Sequence, residues 1–385
     1  MAVGLVYKYY YPNGDTWGYF HDASYLLSLA DQNFSLYIDF MLHGGEFNSP
    51  EILPFLKHHN ERAILMSKIV SLSLLFFGKN YWFASQIFSF LSFSGCWLLV
   101  NQLVSIYPRL KNAALVSFLY FPSFVFWSSG ILKESLLIAT ITFCVTLALA
   151  YKKDISSFKK IIYGVLIVGG LIFIFKLKYY YGIVLSPLLA LFVLYHCFIK
   201  KWDKRVAIVL GGIILIGSFT LLSRANSNLK FERVLSVIVD NNHMMLRYND
   251  EPNNNILLPN LEANVFSFLK YTPKTIWEGF FRPYLWEVHN ITSLVISIEN
   301  TLILLLISLS LYSFKANSSF KMLSSDAKLE MILVLIYSFV LLLFLSLAVP
   351  NLGALSRYKI GFMPFFLMLV LAQLEVGFID DPIKH

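Results

Sequence analysis

Charge is scarce in this chain: Asp, Glu, Lys and Arg make up 14% of its 385 residues, against 57% hydrophobic and 17% aromatic residues. With a mean hydropathy of +0.64, it is too apolar for a soluble domain and reads as a polytopic membrane protein. Cysteine is also nearly missing. Cys96, Cys144 and Cys197 lie far apart inside apolar segments, which argues against a disulfide framework and against a zinc site. Walker, GxSxG and HExxH patterns are absent, which argues against an ATP-driven pump or a soluble-type hydrolase. There is no internal repeat and no low-complexity tract. The opening "MAVGLVYKYYY" has an apolar run too short for a cleavable signal peptide. The net charge of +8 does not imply nucleic acid, because Lys and Arg gather in short loops between apolar runs.

What the chain does have is hydrophobic length. A hydrocarbon core of about 30 Å needs roughly 20 apolar residues as helix. Nine stretches meet or approach that, at 82–103, 112–127, 133–151, 160–175, 179–199, 206–222, 292–314, 329–349 and 358–374. A tenth, at 62–78, carries Ser67, Lys68, Ser71 and Ser73 about a helical turn apart. That spacing predicts a wet face and a juxtamembrane helix lying on the bilayer. The expected fold is all-α, with 9–10 membrane segments plus this helix. Residues 1–81 would form an extracytoplasmic loop containing helix 62–78, and 82–222 a set of transmembrane helices. A second extracytoplasmic loop would cover 223–291, with short helices, and 292–385 would return to the membrane.

Orientation follows from the loops at 107–112, 152–160, 200–205 and 315–328, which are rich in Lys and Arg and belong in the cytoplasm. Alternation then leaves outside the Gly130 region, "KLKYYY" near Lys176, 223–291 and 350–357. Residues 1–61 are cytoplasmic if 62–78 spans the bilayer and external if it lies flat. The flat arrangement leaves a translocated N-terminus with no span before it, so the expectation is a reading frame that starts late and lacks a first helix.

Four stretches carry residues suited to chemistry. In "PNGDTWGYFHDA" a Pro–Asn–Gly turn precedes Asp15, which can cap a helix bearing Asp22 two turns later. A cap and a solvated face explain these residues too. Their aromatic neighbours, however, suit a membrane interface, where a carboxylate could serve as general base on a hydroxyl. In "SSGILKES", Lys133 and Glu134 abut the hydrocarbon, where charge is costly unless it is paired or faces a wet cavity; snorkelling and a favourable helix dipole are the plainer account. Before the 292–314 span, "FFRPYLWEVHN" holds Arg282, Glu287 and His289, and a guanidinium among aromatic residues suits a phosphate headgroup. An aromatic belt with an anchoring Arg explains it equally well. Glu299, inside that span, is also a functional candidate. In "PNLGALSRYKIGFMP", Arg357 and Lys359 put two cations at an outward membrane edge, against the positive-inside trend, which suggests an anionic partner. His58 beside His59 is a weaker candidate. Adjacent histidines do not share a helix face, so no metal site is expected there.

These residues together resemble the GT-C fold of membrane glycosyltransferases that use polyprenyl-phosphate sugars, and in particular membrane proteins of Bacteroidetes type. "GDTWGYFHDA" looks like that family's acidic motif, and the run from Asn60 to Leu99 is similar to its juxtamembrane helix leading into a span. "FPSFVFWSSGILKES", "FFRPYLWE" and "LSRYKIGFMPF" also resemble segments of those Bacteroidetes-type proteins. The resemblance implies a glycosyltransferase of the bacterial inner membrane, with its active site facing the periplasm or exterior. The partners it implies are a polyprenyl-phosphate sugar donor and membrane lipid, with no nucleic acid. It puts Asp15, with Asp22 as a second carboxylate, in the place of the catalytic base. It puts Arg357 at the donor phosphate, with Lys359 or Arg282 assisting. Lys133, Glu134, Glu287 and His58 have no firm counterpart, and help from a divalent cation is left open. Two departures are the missing first span and the lack of a large soluble C-terminal domain. The alternatives are a polysaccharide polymerase of the O-antigen or exopolysaccharide type, a transporter or flippase of lipid-linked saccharide, and a membrane subunit without activity.

Overall fold

The computed structural model describes residues 2–10, 14–45, 49–153, 155–197, 217, 231–247, 254–316 and 325–379. Helices dominate, and among the described residues the only β pairing is an isolated bridge between Asn255 and Asn351. Four helices precede the first long span: α1 (Ala2–Tyr9), α2 (Asp15–Gln32), α3 (Phe34–His43) and α4 (Glu61–Phe77). The spans and their connections follow as α5 (Tyr81–Ile106), α6 (Lys111–Leu115), α7 (Pro122–Trp127), α8 (Lys133–Ala150) and α9 (Ser157–Cys197). The remainder is α10 (Phe231–Arg247), α11 (Val265–Phe281), α12 (Ile291–Ala316), α13 (Ser325–Ala348), α14 (Leu352–Tyr358) and α15 (Met363–Ile379). Asparagine starts several of them: the side chains of Asn33, Asn60, Asn80, Asn264 and Asn351 each accept a backbone N–H from the first turn that follows. These bonds satisfy donors that a helix start otherwise leaves open.

Five of these helices are long and apolar enough to cross a membrane, or six if α14 and α15, bent by 68° across a break, form one span. The nine expected spans shrink for identifiable reasons. The 112–127 stretch is interrupted: α6 passes into a π-helical turn at Val116–Tyr120, and Pro122 then starts α7. The 206–222 span, residue 217 apart, lies outside the described residues. The 160–175 and 179–199 stretches form one helical run, α9, with a break at Lys178 (φ −152°, ψ 90°). The chain reverses there. Near the start of α9 the Lys160 carbonyl accepts the Tyr151 hydroxyl at 2.5 Å. Near its other end His196 comes back to within 4.0 Å of Asp326, at the start of α13. The α9 run is therefore a hairpin of two spans, as the two apolar stretches predict. Among the described residues of 223–291 are two 17-residue helices, α10 and α11, and one short helical turn at Leu285–Glu287.

The two ends of the bundle carry different polar groups. At one end Lys152, just past α8, pairs with Glu330 of α13 at 2.5 Å, and the Tyr107 hydroxyl donates to the same carboxylate at 2.7 Å. At the other end are the Gly130 turn, the Lys178 break and the Asn351 cap, joined by the N-terminal helices. The α8 helix, 18 residues long, sets the two ends about 27 Å apart at 1.5 Å per residue.

The helix at 62–78 exists as α4, but its polar stripe is not wet. Ser67 and Ser71 are fully buried: Ser71 shares a hydrogen bond with the Tyr37 hydroxyl at 2.7 Å, and Ser67 donates to Asp22. Lys68 donates to the carbonyls of Met41 and Gly44 at the end of α3. The face left open is apolar, with Leu72, Leu75, Phe76 and Phe77 exposed. The hydroxyls thus serve packing against α2 and α3, while hydrocarbon is presented outward.

Candidate functional site

The site is assembled from four segments that are remote in sequence. Asp15 is the first residue of α2, with Gly14 rather than Asp15 in the capping position. Its carboxylate oxygen Oδ2 accepts from Nη1 of Arg357 at 3.1 Å. Arg357 comes from α14, at the bent pair near the C-terminus, and its Nε lies 2.9 Å from Oε1 of Glu134 in the first turn of α8. That approach is an ion pair without hydrogen-bond alignment, since Nε has no aligned acceptor. Lys178, at the break in α9, donates to the same oxygen of Glu134 at 2.7 Å. The break is what lets it do so: a non-helical residue at the turn of the hairpin aims its side chain across the bundle end.

Aromatic groups close the cluster. The Tyr7 hydroxyl accepts from Nη1 of Arg357 at 3.2 Å, and Lys178 sits over the Tyr358 ring at 3.6 Å. Burial pushes the Tyr7 phenol above its usual pKa range, with Arg357 pulling the other way. Glu134 is 2% exposed, Arg357 15% and Asp15 42%, so the cluster runs from a buried carboxylate to an open one. Among the described residues Oδ1 of Asp15 carries no hydrogen bond, and Nη2 of Arg357 has only the Tyr358 hydroxyl at 3.5 Å.

Lys133 completes the group. Its Nζ lies 5.4 Å from the centre of the Tyr19 ring, and among the described residues it has no carboxylate within ion-pair distance. Gly130 places it: a φ of +82° there turns the chain in the left-handed region, and the Gly130 amide donates to Ser89 while its carbonyl accepts from Ser135. Lys133, Lys178 and Arg357 thus face Asp15 and Glu134, three cations against two carboxylates. Among the described residues the cluster holds one cation more than it holds carboxylates, and Asp15 is the more exposed of the two carboxylates.

The second carboxylate of α2 behaves differently. Asp22 is completely buried, and accepts from the amides of Lys57 and His58, from the Ser67 hydroxyl and from the His58 ring at 2.9 Å. A substrate cannot reach it, so the catalytic role expected for Asp22 gives way to that of an anchor for the loop at 57–60. Burial disfavours its charge, but the His58 ring and these hydrogen bonds prevail and hold it below the usual carboxylate range. The His58 ring lies over Tyr19 at 4.6 Å between centres. It also fills the space a Cβ on Gly18 would need, 2.3 Å from its nearest atom. Asp15, Gly18, Tyr19 and Asp22 recur at helical spacing and form one face of α2. Along that face Arg357, Lys133 and His58 are laid side by side.

Asp22 yields a pH prediction. A carboxyl with a lowered folded pKa stabilises the fold above its unfolded pKa, about 3.9, and loses that contribution as pH falls through the folded value. Asp22→Asn should cost about 1–3 kcal/mol at neutral pH. Melting of purified protein should show that gap closing below pH 4, and a gap constant with pH would contradict the anchoring role.

The remaining candidates lie elsewhere. Arg282 pairs with Glu278 at 3.2 Å and with Glu287 at 2.9 Å, and it donates to the Asn255 carbonyl. Glu287 also accepts the Tyr284 amide. That arrangement braces the turn after α11. Lys359 is buried and donates to the Phe280 carbonyl at 3.1 Å. Glu299 accepts the Ser123 amide at 2.8 Å, which serves the start of α7. The phosphate-binding roles expected for Arg282 and Lys359 therefore have no geometric counterpart. Sequence reading passed over Lys178, Tyr7 and Tyr358. For Lys178 a signal existed, because a Lys in a short segment opposite the basic loops runs against the positive-inside trend. Among the described residues no group of His, Cys, Asp and Glu could hold a metal ion. The chain matches no family model, no curated protein and no solved structure.

Proposed function

We propose that this protein is a membrane glycosyltransferase that moves a sugar from a polyprenyl-phosphate-linked donor to an acceptor hydroxyl, at the end of the bundle where Asp15 and Arg357 meet. The observation that carries this reading is the cluster's uncompensated cation beside an open carboxylate. Buried charge is costly unless it is paired, and the missing counter-charge is what a lipid-linked phosphate supplies. Lys133 and Nη2 of Arg357 take the phosphate. Oδ1 of Asp15 faces the acceptor, while Oδ2 stays pinned by Nη1 of Arg357.

The chemistry is a single displacement. The acceptor oxygen attacks the anomeric carbon, the bond from that carbon to the phosphate oxygen breaks, and the acceptor proton passes to Asp15. Polyprenyl phosphate leaves with the bonding electrons, and the anomeric configuration inverts. Charge builds on the departing phosphate in the transition state, where Lys133 and Arg357 stabilise it by an amount on the order of several kcal/mol. In this reading the cluster end faces the periplasm or exterior, and the basic loops at 107–112 and 152–160, at the other end, support that orientation.

Binding tests the reading without knowledge of the sugar. Undecaprenyl phosphate should bind the purified protein about tenfold more tightly than undecaprenol, and Lys133→Ala should erase most of that difference. Equal binding of the phosphate and the alcohol to the wild-type protein would overturn the proposal.

A further inference from the structure

At the opposite end of the bundle lies a second feature, a cavity of about 660 Å³ between α5, α8, the second half of α9, α13 and α15. Its walls are almost wholly apolar, with Leu103, Leu188, Leu189, Val334, Phe365 and Met368 among them. Ordered water needs two to four polar partners and does not settle in such a space. For a chain surrounded by bilayer, the filler at hand is hydrocarbon.

Two charged side chains reach this cavity, Arg109 and Glu330. Glu330 is neutralised by Lys152 at 2.5 Å and takes the Tyr107 hydroxyl at 2.7 Å. Arg109 is exposed, and among the described residues it has neither an ion pair nor a side-chain hydrogen bond. The mouth of an apolar pocket thus carries one guanidinium available to an anion, and guanidinium suits phosphate oxygens. Among the described residues the buried Nε2 of Gln373 has no hydrogen-bond acceptor, and Gln373 also lines the cavity. An ester carbonyl would supply one.

We infer that this cavity holds one acyl chain of an anionic phospholipid, with the lipid phosphate on Arg109. On α8 the lining begins at Val145, eleven residues and so about 16 Å past Glu134, and the site does not depend on the activity proposed at the Asp15–Arg357 cluster. It selects for headgroup charge at the basic end of the bundle, where the positive loops already favour anionic lipid.

The test uses full-length protein stripped of lipid in detergent and then titrated with dioleoylphosphatidylglycerol or dioleoylphosphatidylcholine, with bound lipid counted by native mass spectrometry. One phosphatidylglycerol should be retained per chain, about tenfold more tightly than phosphatidylcholine. Arg109→Ala should reduce phosphatidylglycerol to the phosphatidylcholine level. Ala148→Phe or Ala372→Phe, which place a ring in the cavity, should abolish retention of both. Equal retention of the two lipids, or undiminished retention in a ring-filled variant that melts like the wild type, would overturn the assignment. The comparison of the two lipids and the Arg109→Ala arm need no change in the core, so they decide the matter even where the Phe variants fail to fold.

Discussion

Asp15→Asn should lose sugar transfer by about 10²–10⁴-fold, the range for removal of a general base, while binding undecaprenyl phosphate as well as or better than the wild type. The two halves of that expectation have separate causes. Asparagine keeps an oxygen for Nη1 of Arg357, so the geometry that pins the guanidinium at 3.1 Å survives. It cannot take a proton from an acceptor, so the chemical step fails. Removing a negative charge also adds to the cluster's positive excess, which favours a phosphate. A variant that bound donor but turned over normally would remove Asp15 from the base role and favour polymerase-type chemistry built on arginines alone. One that bound donor poorly would make Asp15 a structural partner of Arg357 and nothing more.

Arg357→Ala should be the most damaging single change to the fold. It strips an ion-pair partner from Glu134, which is 2% exposed, and leaves Lys178 as its remaining cation at 2.7 Å. Breaking a buried pair by removing one partner costs about 3–5 kcal/mol, because a charge stays buried without full compensation. The double variant Arg357→Ala with Glu134→Gln should be less stable again, because the buried Lys178 then loses its carboxylate at 2.7 Å, but by less than the sum of the two single losses, since Arg357 and Glu134 are partners. Arg357→Lys keeps the charge but lacks the planar fork that reaches Asp15 and Glu134 together, and should fall between. Thermal melting of these four proteins and of Glu134→Gln alone, in detergent, checks the order. Additive losses in the double variant would mean that Arg357 and Glu134 are not coupled.

Much of this architecture is legible in the residues. Apolar length is a local property, so the stretches at 82–103, 133–151, 292–314 and 329–349 appear as α5, α8, α12 and α13, and 62–78 as α4. The break at Lys178 is legible because two apolar stretches flank a charged, tyrosine-rich segment. The interruption of 112–127 is not. A π-helical turn before Pro122 reflects packing of that segment against neighbours remote in sequence, and hydropathy carries no such information. The polar stripe of α4 misleads for a related reason. Ser67, Lys68 and Ser71 look like a wet face, and only contact with α2 and α3 shows that they bind protein.

The site was partly legible on the same logic. Asp15, Lys133, Glu134 and Arg357 each stand out as charges where the membrane makes charge expensive, and the structure brings all four to one place. What sequence could not give is their mutual order: Arg357 lies between two carboxylates, Lys178 braces Glu134, and among the described residues Lys133 has no carboxylate partner. Asp15 and Asp22 look equivalent in sequence, seven residues apart on one helix face. Burial separates them, since the loop at 57–60 closes over Asp22 and leaves Asp15 open.

The central claim is that the Asp15–Arg357 end breaks the bond between a sugar and a lipid-linked phosphate. The most direct measurement places the purified protein in vesicles loaded with sugar-labelled polyprenyl-phosphate donor and follows the label and the lipid together. The account predicts that label moves to a hydroxyl acceptor supplied on the cluster side, with one free polyprenyl phosphate appearing per sugar moved and none formed by Asp15→Asn. Label that crosses the bilayer still attached to its lipid, with no free polyprenyl phosphate, would contradict it and make the protein a carrier of lipid-linked saccharide.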